Sequence, residues 1–149
     1  MAGEKKKVFL DASVFIAAAG SKSGGSSLVL KICSGLSFSA VVSQKILLEA
    51  QVNIRKKLSS EALLCFYKEI DKLNPEIIKP PDEENLKNYN NIIALKDRHV
   101  LAGALKSTAS FLITLDCKHF KTDAIKRANL PITIMTPKEF LEFVKEKYK

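Results

Sequence analysis

The sequence has no apolar stretch of the length that a membrane-spanning helix requires. Such a helix needs about 20 consecutive apolar residues, and the apolar runs of this 149-residue chain are much shorter. The charged opening leads directly into an apolar segment at Val8, without the apolar region and cleavage site of a secretory signal. We therefore expect neither membrane insertion nor default export.

Cysteine is also scarce. The three cysteines, Cys33, Cys65 and Cys117, lie far apart and form no CxxC pair. An odd number of scattered cysteines argues against both a disulfide framework and a structural zinc site. Free thiols suit a reducing compartment, so we expect a cytoplasmic protein.

Proline and glycine are few, with 5 and 6 residues. No linker, internal repeat or low-complexity tract divides the chain, and a composition of 46% apolar residues can fill a core of ordinary size. We predict a basic N-terminal tail at residues 1–7 and a single domain at residues 8–149.

Acidic residues are outnumbered, 16 to 24, by lysine and arginine, which gives a net charge of +8. This balance favours a polyanionic partner such as a nucleic acid. A lysine-rich surface that contacts only solvent would have the same composition, so charge alone leaves both interpretations open.

Short apolar segments alternate with helical patterns along the chain. Strands are predicted at residues 8–10, 36–42, 76–78, 111–115 and 132–135, and helices at 14–19, 28–33, 44–58, 60–73, 83–93 and 100–105. Ser26 or Ser27 is expected to cap the second helix, and Thr136 a final helix with Pro137 and Glu139 in its first turn. The alternation predicts an α/β fold, a three-layer α/β/α sandwich with a central parallel sheet.

Two of the predicted strands end on a carboxylate. Asp11 follows the apolar run from Val8, and Asp116 follows Phe111 to Leu115. Because the carboxyl ends of parallel strands face one crevice, the two acids are candidate ligands of a cation. A helix N-cap is the alternative for Asp11, and a turn for Asp116.

Asp97 precedes Val100 and Leu101 by one helical turn, on the face expected to meet the core. A carboxylate in that position needs compensation by a cation or a hydrogen-bond donor. If the helix instead begins at Asp97, with Arg98 and His99 pointing outward, the residue is only a cap.

Glu49 is not singled out by its spacing. It shares a helix face with Asn53 and Lys56, whereas Ile46, Ala50 and Ile54 form the apolar face of the same helix. Spacing alone therefore favours a solvated residue.

Four carboxylates in one crevice would repel one another, at a cost of up to roughly a few kcal/mol for each close pair. Bound cations remove this cost, and oxygen ligands of high negative charge suit Mg²⁺ or Mn²⁺. Such ions activate a water molecule and stabilise the charge that develops on a phosphodiester. A basic chain with an acidic metal centre is suited to hydrolysis of a nucleic acid.

Four segments resemble the motifs of PIN domains, the metal-dependent ribonuclease family that includes VapC-type toxins and RNA-processing enzymes. They are Phe9–Ser13, Ser43–Glu49, Lys96–Ala104 and Leu112–Asp116, and the likeness extends from Phe9 to about Phe143. The resemblance implies that one or two Mg²⁺ or Mn²⁺ ions are held by four catalytic acids, Asp11, Glu49, Asp97 and Asp116. It also implies that Ser13 and Thr114 lie near the metal or the phosphate.

One position departs from the family pattern. PIN domains often have a further acid shortly after the last motif aspartate, whereas here Asp116 is followed by Cys117, Lys118 and His119. His119 either replaces that acid as a weak outer ligand or is a solvated histidine. Loss of the acid leaves the number of metal ions open.

The resemblance implies an endoribonuclease in which the metal held by the four acids orients a water molecule for in-line attack on an RNA phosphate. The RNA backbone would be held by basic residues, for which Lys22, Arg55, Lys56, Lys57, Lys118 and Lys121 are candidates. For a toxin, the resemblance implies a small homodimer that is silenced by an antitoxin. A homodimer and an antitoxin partner are therefore expected if the chain is a toxin. A housekeeping nuclease is the other possibility within the family.

Three other interpretations compete with that of an active PIN-domain ribonuclease. A haloacid-dehalogenase-type phosphatase requires a second aspartate where this chain has Ser13, and a receiver-type phosphoacceptor domain requires an acid pair before the end of the first strand. A catalytically idle PIN-like module that binds RNA or protein is the remaining alternative. Retention of all four acids argues against it.

Overall fold

A five-stranded parallel sheet forms the centre of the molecule. The computed structural model describes residues 4–148. Its strands are β1 (Lys6–Leu10), β2 (Phe38–Ser43), β3 (Glu76–Ile78), β4 (Phe111–Ile113) and β5 (Thr133–Met135), in the spatial order β3-β2-β1-β4-β5. Every neighbouring pair is parallel, so the carboxyl ends of all five strands lie along one edge.

Helices cover both faces of this sheet, which confirms the predicted α/β/α sandwich. Within residues 4–148 they are α1 (Ala12–Gly20), α2 (Gly25–Cys33), α3 (Gln44–Lys57), α4 (Ser60–Leu73), α5 (Glu83–Leu86), α6 (Arg98–Lys106), α7 (Cys117–Phe120), α8 (Asp123–Ala128) and α9 (Pro137–Lys147). None of them combines the length and the apolar composition needed to cross a bilayer.

Hydroxyl side chains fix where several helices begin. Ser43 accepts a hydrogen bond from the Ile46 N–H at 3.2 Å and starts α3. Thr136 and Glu139 form the reciprocal capping box predicted for α9, with Pro137 in the first turn. Because Ser43 is also the last residue of β2, helix α3 begins at the carboxyl edge of the sheet.

Helix α6 packs closely on the centre of the sheet at Gly103. A Cβ at this position would lie 2.9 Å from Cζ of Phe9, a fully buried residue of β1. A larger residue would therefore push the helix away from the strand. Glycine thus allows the close approach that places the residues at the beginning of α6 near the end of β1.

The structure corrects several predicted boundaries. Strand β1 begins at Lys6, inside the predicted tail, and β2 begins at Phe38 rather than Leu36; residues 1–3 of that tail lie outside the described part of the chain. Helix α2 begins at Gly25 after an N-cap at Gly24, so neither serine caps it. Ser27 is buried and donates instead to the carbonyl oxygens of Ala18 and Ser21.

Two further differences lie in the second half of the chain. The helix predicted at residues 83–93 is only one turn, α5, followed by a 3₁₀ turn at Lys87–Tyr89 and irregular structure. Helices α7 and α8 lie in a segment for which no element was predicted. Both are too short to show an apolar period, and their starts depend on local caps at Asp116 and Thr122.

Candidate metal centre

The four predicted acids lie together at the carboxyl edge of the sheet. Asp11 directly follows β1, and Asp116 follows β4 by three residues. Burial is the main cause of the raised pKa of both Glu49 and Asp97; repulsion by Asp11 adds to both shifts, and repulsion by Asp116 adds to that of Asp97. The sheet and helices α3 and α6 therefore bring the four carboxylates into electrostatic contact.

Asp11 is the most strongly fixed of the four. Its Oδ1 accepts a hydrogen bond from the Ala12 N–H at 2.8 Å, and its Oδ2 accepts from Thr114 Oγ1 at 2.7 Å and Ser13 Oγ at 2.9 Å. Asp11 is thus the N-cap of α1, as its alternative interpretation stated, and it also faces the other acids. The same carboxylate therefore caps α1 and belongs to the acidic cluster.

Ser13 and Thr114 connect the two strand ends. The Leu115 N–H donates to Ser13 Oγ at 3.1 Å, and the Asp116 N–H donates to Thr114 Oγ1 at 3.0 Å. Each hydroxyl therefore donates to Asp11 while it accepts from the backbone after β4. The two residues fix the position of Asp11 relative to Asp116.

Asp116 begins helix α7. Its Oδ1 accepts from the His119 N–H at 3.1 Å, and its Oδ2 lies 2.7 Å from Nδ1 of the same histidine. The alternative given for Asp116 was a turn, whereas the structure makes it the N-cap of a short helix. His119 is accordingly not a free, solvated side chain, because its ring faces the carboxylates.

Asp97 provides the strongest indication of a cation site. The residue precedes α6, yet its side chain makes no capping hydrogen bond. Its Oδ2 is fully buried and meets no hydrogen-bond donor among residues 4–148. Burial is the main cause of its raised pKa, with repulsion from Asp116 and Asp11 adding to it. An orphaned, buried carboxylate oxygen beside other acids is the environment that a bound cation compensates.

Glu49 contacts a histidine that was not among the predicted site residues. Oε1 of Glu49 lies 3.0 Å from Nε2 of His99. His99 is only 3% exposed, which excludes the outward orientation considered for it. Burial, with a contribution from Lys45, lowers the pKa of His99 to about 4, so the ring is uncharged near neutral pH. The sequence feature that could have identified His99 is its place as a polar residue at the start of a strongly apolar helix.

The carboxylate oxygens and the imidazole nitrogen of this cluster fit a divalent metal ion. Carboxylate oxygens are the preferred ligands of Mg²⁺ and Mn²⁺. Asp97, Asp116 and His119 can each offer one ligand atom, and these atoms lie within 4.8 Å of one another. Burial is also the main cause of the raised pKa of Glu49, with repulsion from Asp11 and Asp97 contributing, so positive charge at this point would stabilise the ionised cluster.

Two lysines that the sequence analysis did not name lie close to the acids. Lys45 is exposed one turn before Glu49, and its charge lowers the pKa of that residue. Lys96 is exposed and lowers the pKa of Asp97. Of the six basic candidates, Lys121 is in an ion pair with Glu139, whereas Lys22, Arg55, Lys56, Lys57 and Lys118 are exposed.

Comparison with known proteins identifies the family. The family model described as PIN domain matches residues 7–118. A Mycobacterium tuberculosis protein named "Putative ribonuclease VapC50" is 41% identical over 58 residues, which cover 36% of this chain and 33% of that protein. The match therefore spans about a third of the length of this relative.

Two solved structures have a similar fold. VapBC2 from Rickettsia felis, bound to a DNA fragment from its promoter, has a TM-score of 0.61 at 16% identity and covers 87% of this chain and 98% of that one. PAE2754 from Pyrobaculum aerophilum has a TM-score of 0.62 at 12% identity, with coverage of 95% and 90%. At these identities the likeness concerns the fold alone. With most of the chain matched by the family model and four acids assembled at the carboxyl edge of the sheet, the protein belongs to the PIN-domain family.

Proposed function

We propose that the protein is a divalent-metal-dependent endoribonuclease. The observation that carries this proposal is the buried Oδ2 of Asp97, which has no hydrogen-bond donor among the described residues and lies beside further carboxylates. Membership of the PIN-domain family supports it, as does the ribonuclease name of the matched relative. Asp11, Glu49, Asp97 and Asp116 are the proposed metal ligands and catalytic residues.

The four proposed ligands differ in their surroundings. Thr114 and Ser13 donate hydrogen bonds to Asp11, and His99 lies 3.0 Å from Glu49. Asp97 presents an unshared oxygen, so it gains most from a cation. Mg²⁺ or Mn²⁺ bound by these acids would supply an activated water molecule and positive charge for an RNA phosphate.

The substrate is proposed to be RNA, held through its phosphates. The net charge of +8 favours a polyanion, and Lys45 and Lys96 provide positive charge at the rim of the acidic cluster. Ser13 and Thr114 are the proposed hydroxyl groups beside the metal. Binding that depends on lysine–phosphate contacts weakens as the salt concentration rises.

A toxin role with an antitoxin partner is the biological setting that we propose. It is supported by the similarity of the fold to the VapBC2 complex and by the VapC name of the matched relative. A cytoplasmic homodimer is proposed on the same basis. Co-expression with the product of the adjacent gene, followed by co-purification, would test the partner directly.

Cleavage of labelled single-stranded RNA with Mn²⁺, Mg²⁺ or EDTA tests the enzymatic proposal. Wild type is compared with Asp97→Asn and with Asp71→Asn, all purified identically. Asp71 is exposed on α4, so its variant controls for loss of one negative charge. We expect metal-dependent cleavage by wild type and Asp71→Asn, and none by Asp97→Asn.

Thermal unfolding with and without Mn²⁺ separates the possible failures. A bound ion stabilises the folded state by RT ln(1 + [L]/Kd), so wild type should melt at a higher temperature with the metal. RNA binding without cleavage or metal stabilisation would support the idle module instead. A fully active Asp97→Asn variant would overturn the assigned site.

A further inference from the structure

The position that departs from the family pattern lies inside the acidic cluster. Nδ1 of His119 is 2.7 Å from Oδ2 of Asp116 and 3.9 Å from Oδ2 of Asp97. The imidazole thus faces both carboxylates, including the buried oxygen of Asp97 that has no donor among the described residues. We propose that His119 coordinates the metal ion directly, and that the site consequently prefers transition-metal ions such as Mn²⁺ to Mg²⁺. This inference rests on the proposed metal-dependent function.

The fold holds His119 in this position through two contacts with the same aspartate. The His119 N–H donates to Oδ1 of Asp116, so the first turn of α7 closes around the carboxylate. The ring then meets the second oxygen of that carboxylate. Since backbone and ring are both fixed, little conformational entropy remains to be lost when a metal binds.

The separations of the three groups suit shared coordination. Their ligand atoms lie within 4.8 Å of one another, whereas two ligands on opposite sides of one ion, at about 2.1 Å each, are about 4.2 Å apart. Side-chain movements of a few tenths of an ångström would therefore bring the three ligand atoms within coordination distance of one ion. On coordination, Nδ1 uses its lone pair for the metal, and any proton that it shares with Asp116 leaves to solvent.

The expected preference for Mn²⁺ over Mg²⁺ follows from the chemistry of the nitrogen ligand. Mg²⁺ is a hard ion that is bound through oxygen, in near-ideal octahedral geometry. Imidazole is a ligand of transition metals, and the affinity of mixed nitrogen and oxygen sites rises from Mn²⁺ along the first-row series. Where an acid is replaced by His119, the site loses a charged oxygen that Mg²⁺ favours and gains a nitrogen that Mg²⁺ binds poorly.

Pulsed electron paramagnetic resonance of the Mn²⁺-loaded protein tests the inference directly. The technique detects ¹⁴N coupling when a histidine nitrogen binds Mn²⁺. The chain has only two histidines, His99 and His119, so tag-free protein and two variants assign the signal. We expect ¹⁴N coupling in wild type and in His99→Gln, and its loss in His119→Ala and His119→Asp.

Calorimetric titration with the metals alone gives the second readout. We expect His119→Ala to bind Mn²⁺ at least about tenfold more weakly, with a change of less than about threefold for Mg²⁺. His119→Asp restores an oxygen ligand and should move the preference toward Mg²⁺. If Mn²⁺ binds wild type without ¹⁴N coupling, His119 is not a ligand, although the proposed nuclease keeps its metal. If no metal binds wild type, the metal-dependent function fails together with this inference.

Discussion

Nε2 of His99 lies 3.0 Å from Oε1 of Glu49 and connects helix α6 to helix α3 within the acidic cluster. Glu49 is partly exposed, with 39% of its side chain accessible, whereas the histidine is buried. The contact lies on the side of Glu49 that faces Asp11 and Asp97, whose charges raise the pKa of Glu49 in addition to the larger effect of burial. We therefore expect His99 to act as a positioning residue for Glu49.

Replacement of this histidine should weaken metal binding. We expect His99→Leu to reduce Mn²⁺ affinity and RNA cleavage by about 10–100-fold, the usual effect of losing a partner that orients a ligand. Calorimetric titration and initial cleavage rates measure the two effects. His99→Gln is the matched control, because its amide nitrogen can replace Nε2, and it should recover most of the loss. Wild-type metal affinity in His99→Leu would show that Glu49 needs no such support.

Stability should depend on pH through the same histidine. The folded-state pKa of His99 is lowered from 6.5 to about 4, so between these values the unfolded state binds the extra proton. Stability is therefore fully present above pH 6.5 and is lost as the pH falls toward 4, by about 3 kcal/mol from this group. Urea unfolding in EDTA at several pH values measures the slope.

The raised pKa values of Glu49 and Asp97 have the opposite effect on the pH dependence of stability. Their protonation in the folded state stabilises it as the pH falls, so the wild-type curve alone mixes three contributions. The difference between wild type and His99→Gln isolates the histidine. Equal slopes for the two proteins between pH 4 and 6.5 would contradict a buried, neutral His99.

The hydroxyl of Thr114 should matter for both stability and the site. Thr114 is 1% exposed, donates to Asp11 and accepts from the Asp116 N–H. Thr114→Val keeps the shape but leaves a carboxylate oxygen and a backbone N–H with one partner fewer. We expect a loss of about 1–3 kcal/mol in the free energy of unfolding and weaker Mn²⁺ binding.

Thr114→Ser is the matched variant for that test, since it keeps the hydroxyl and removes only a methyl group. Chemical denaturation of both variants in EDTA separates the hydrogen bonds from the packing. A serine variant as unstable as the valine variant would assign the effect to the lost methyl group and not to the hydroxyl.

Lys45 should contribute to RNA binding through charge alone. It is exposed one turn before Glu49, where a phosphate near the metal ligands would pass. We expect Lys45→Ala to weaken RNA binding and to reduce the slope of log K against log salt by about 0.7 to 1, as expected for one lost phosphate contact. Fluorescence anisotropy with Ca²⁺ in place of Mn²⁺ measures binding without cleavage.

Lys31→Ala controls for the loss of one positive charge. Lys31 is exposed in the last turn of α2, shortly before β2 begins, and therefore lies toward the amino edge of the parallel sheet. Its variant should keep the wild-type salt slope. If both variants reduced the slope equally, RNA binding would follow overall charge and not the rim of the acidic cluster.

The central sheet and the two acids at its carboxyl edge could be predicted from the sequence. Apolar strands that alternate with helices can bury both faces only in a parallel sheet covered on each side. Asp11 is placed by its position directly after β1, and Asp116 by its position three residues after β4. Thr136, Pro137 and Glu139 likewise define the start of α9 through purely local contacts. These features depend on neighbours in the chain, which a sequence displays.

The surroundings of Glu49, His99 and His119 are visible only in the folded chain. Spacing placed Glu49 on a solvated face, and the buried His99, 50 residues later in the chain, lies 3.0 Å from its carboxylate. His119 could be judged only once α7 had brought its ring to within 3.9 Å of Asp97, which belongs to another helix. The physical reason is that the pKa and the hydrogen-bond partners of a polar group are set by what packs around it. Those neighbours come from distant segments that periodicity and capping rules do not reveal.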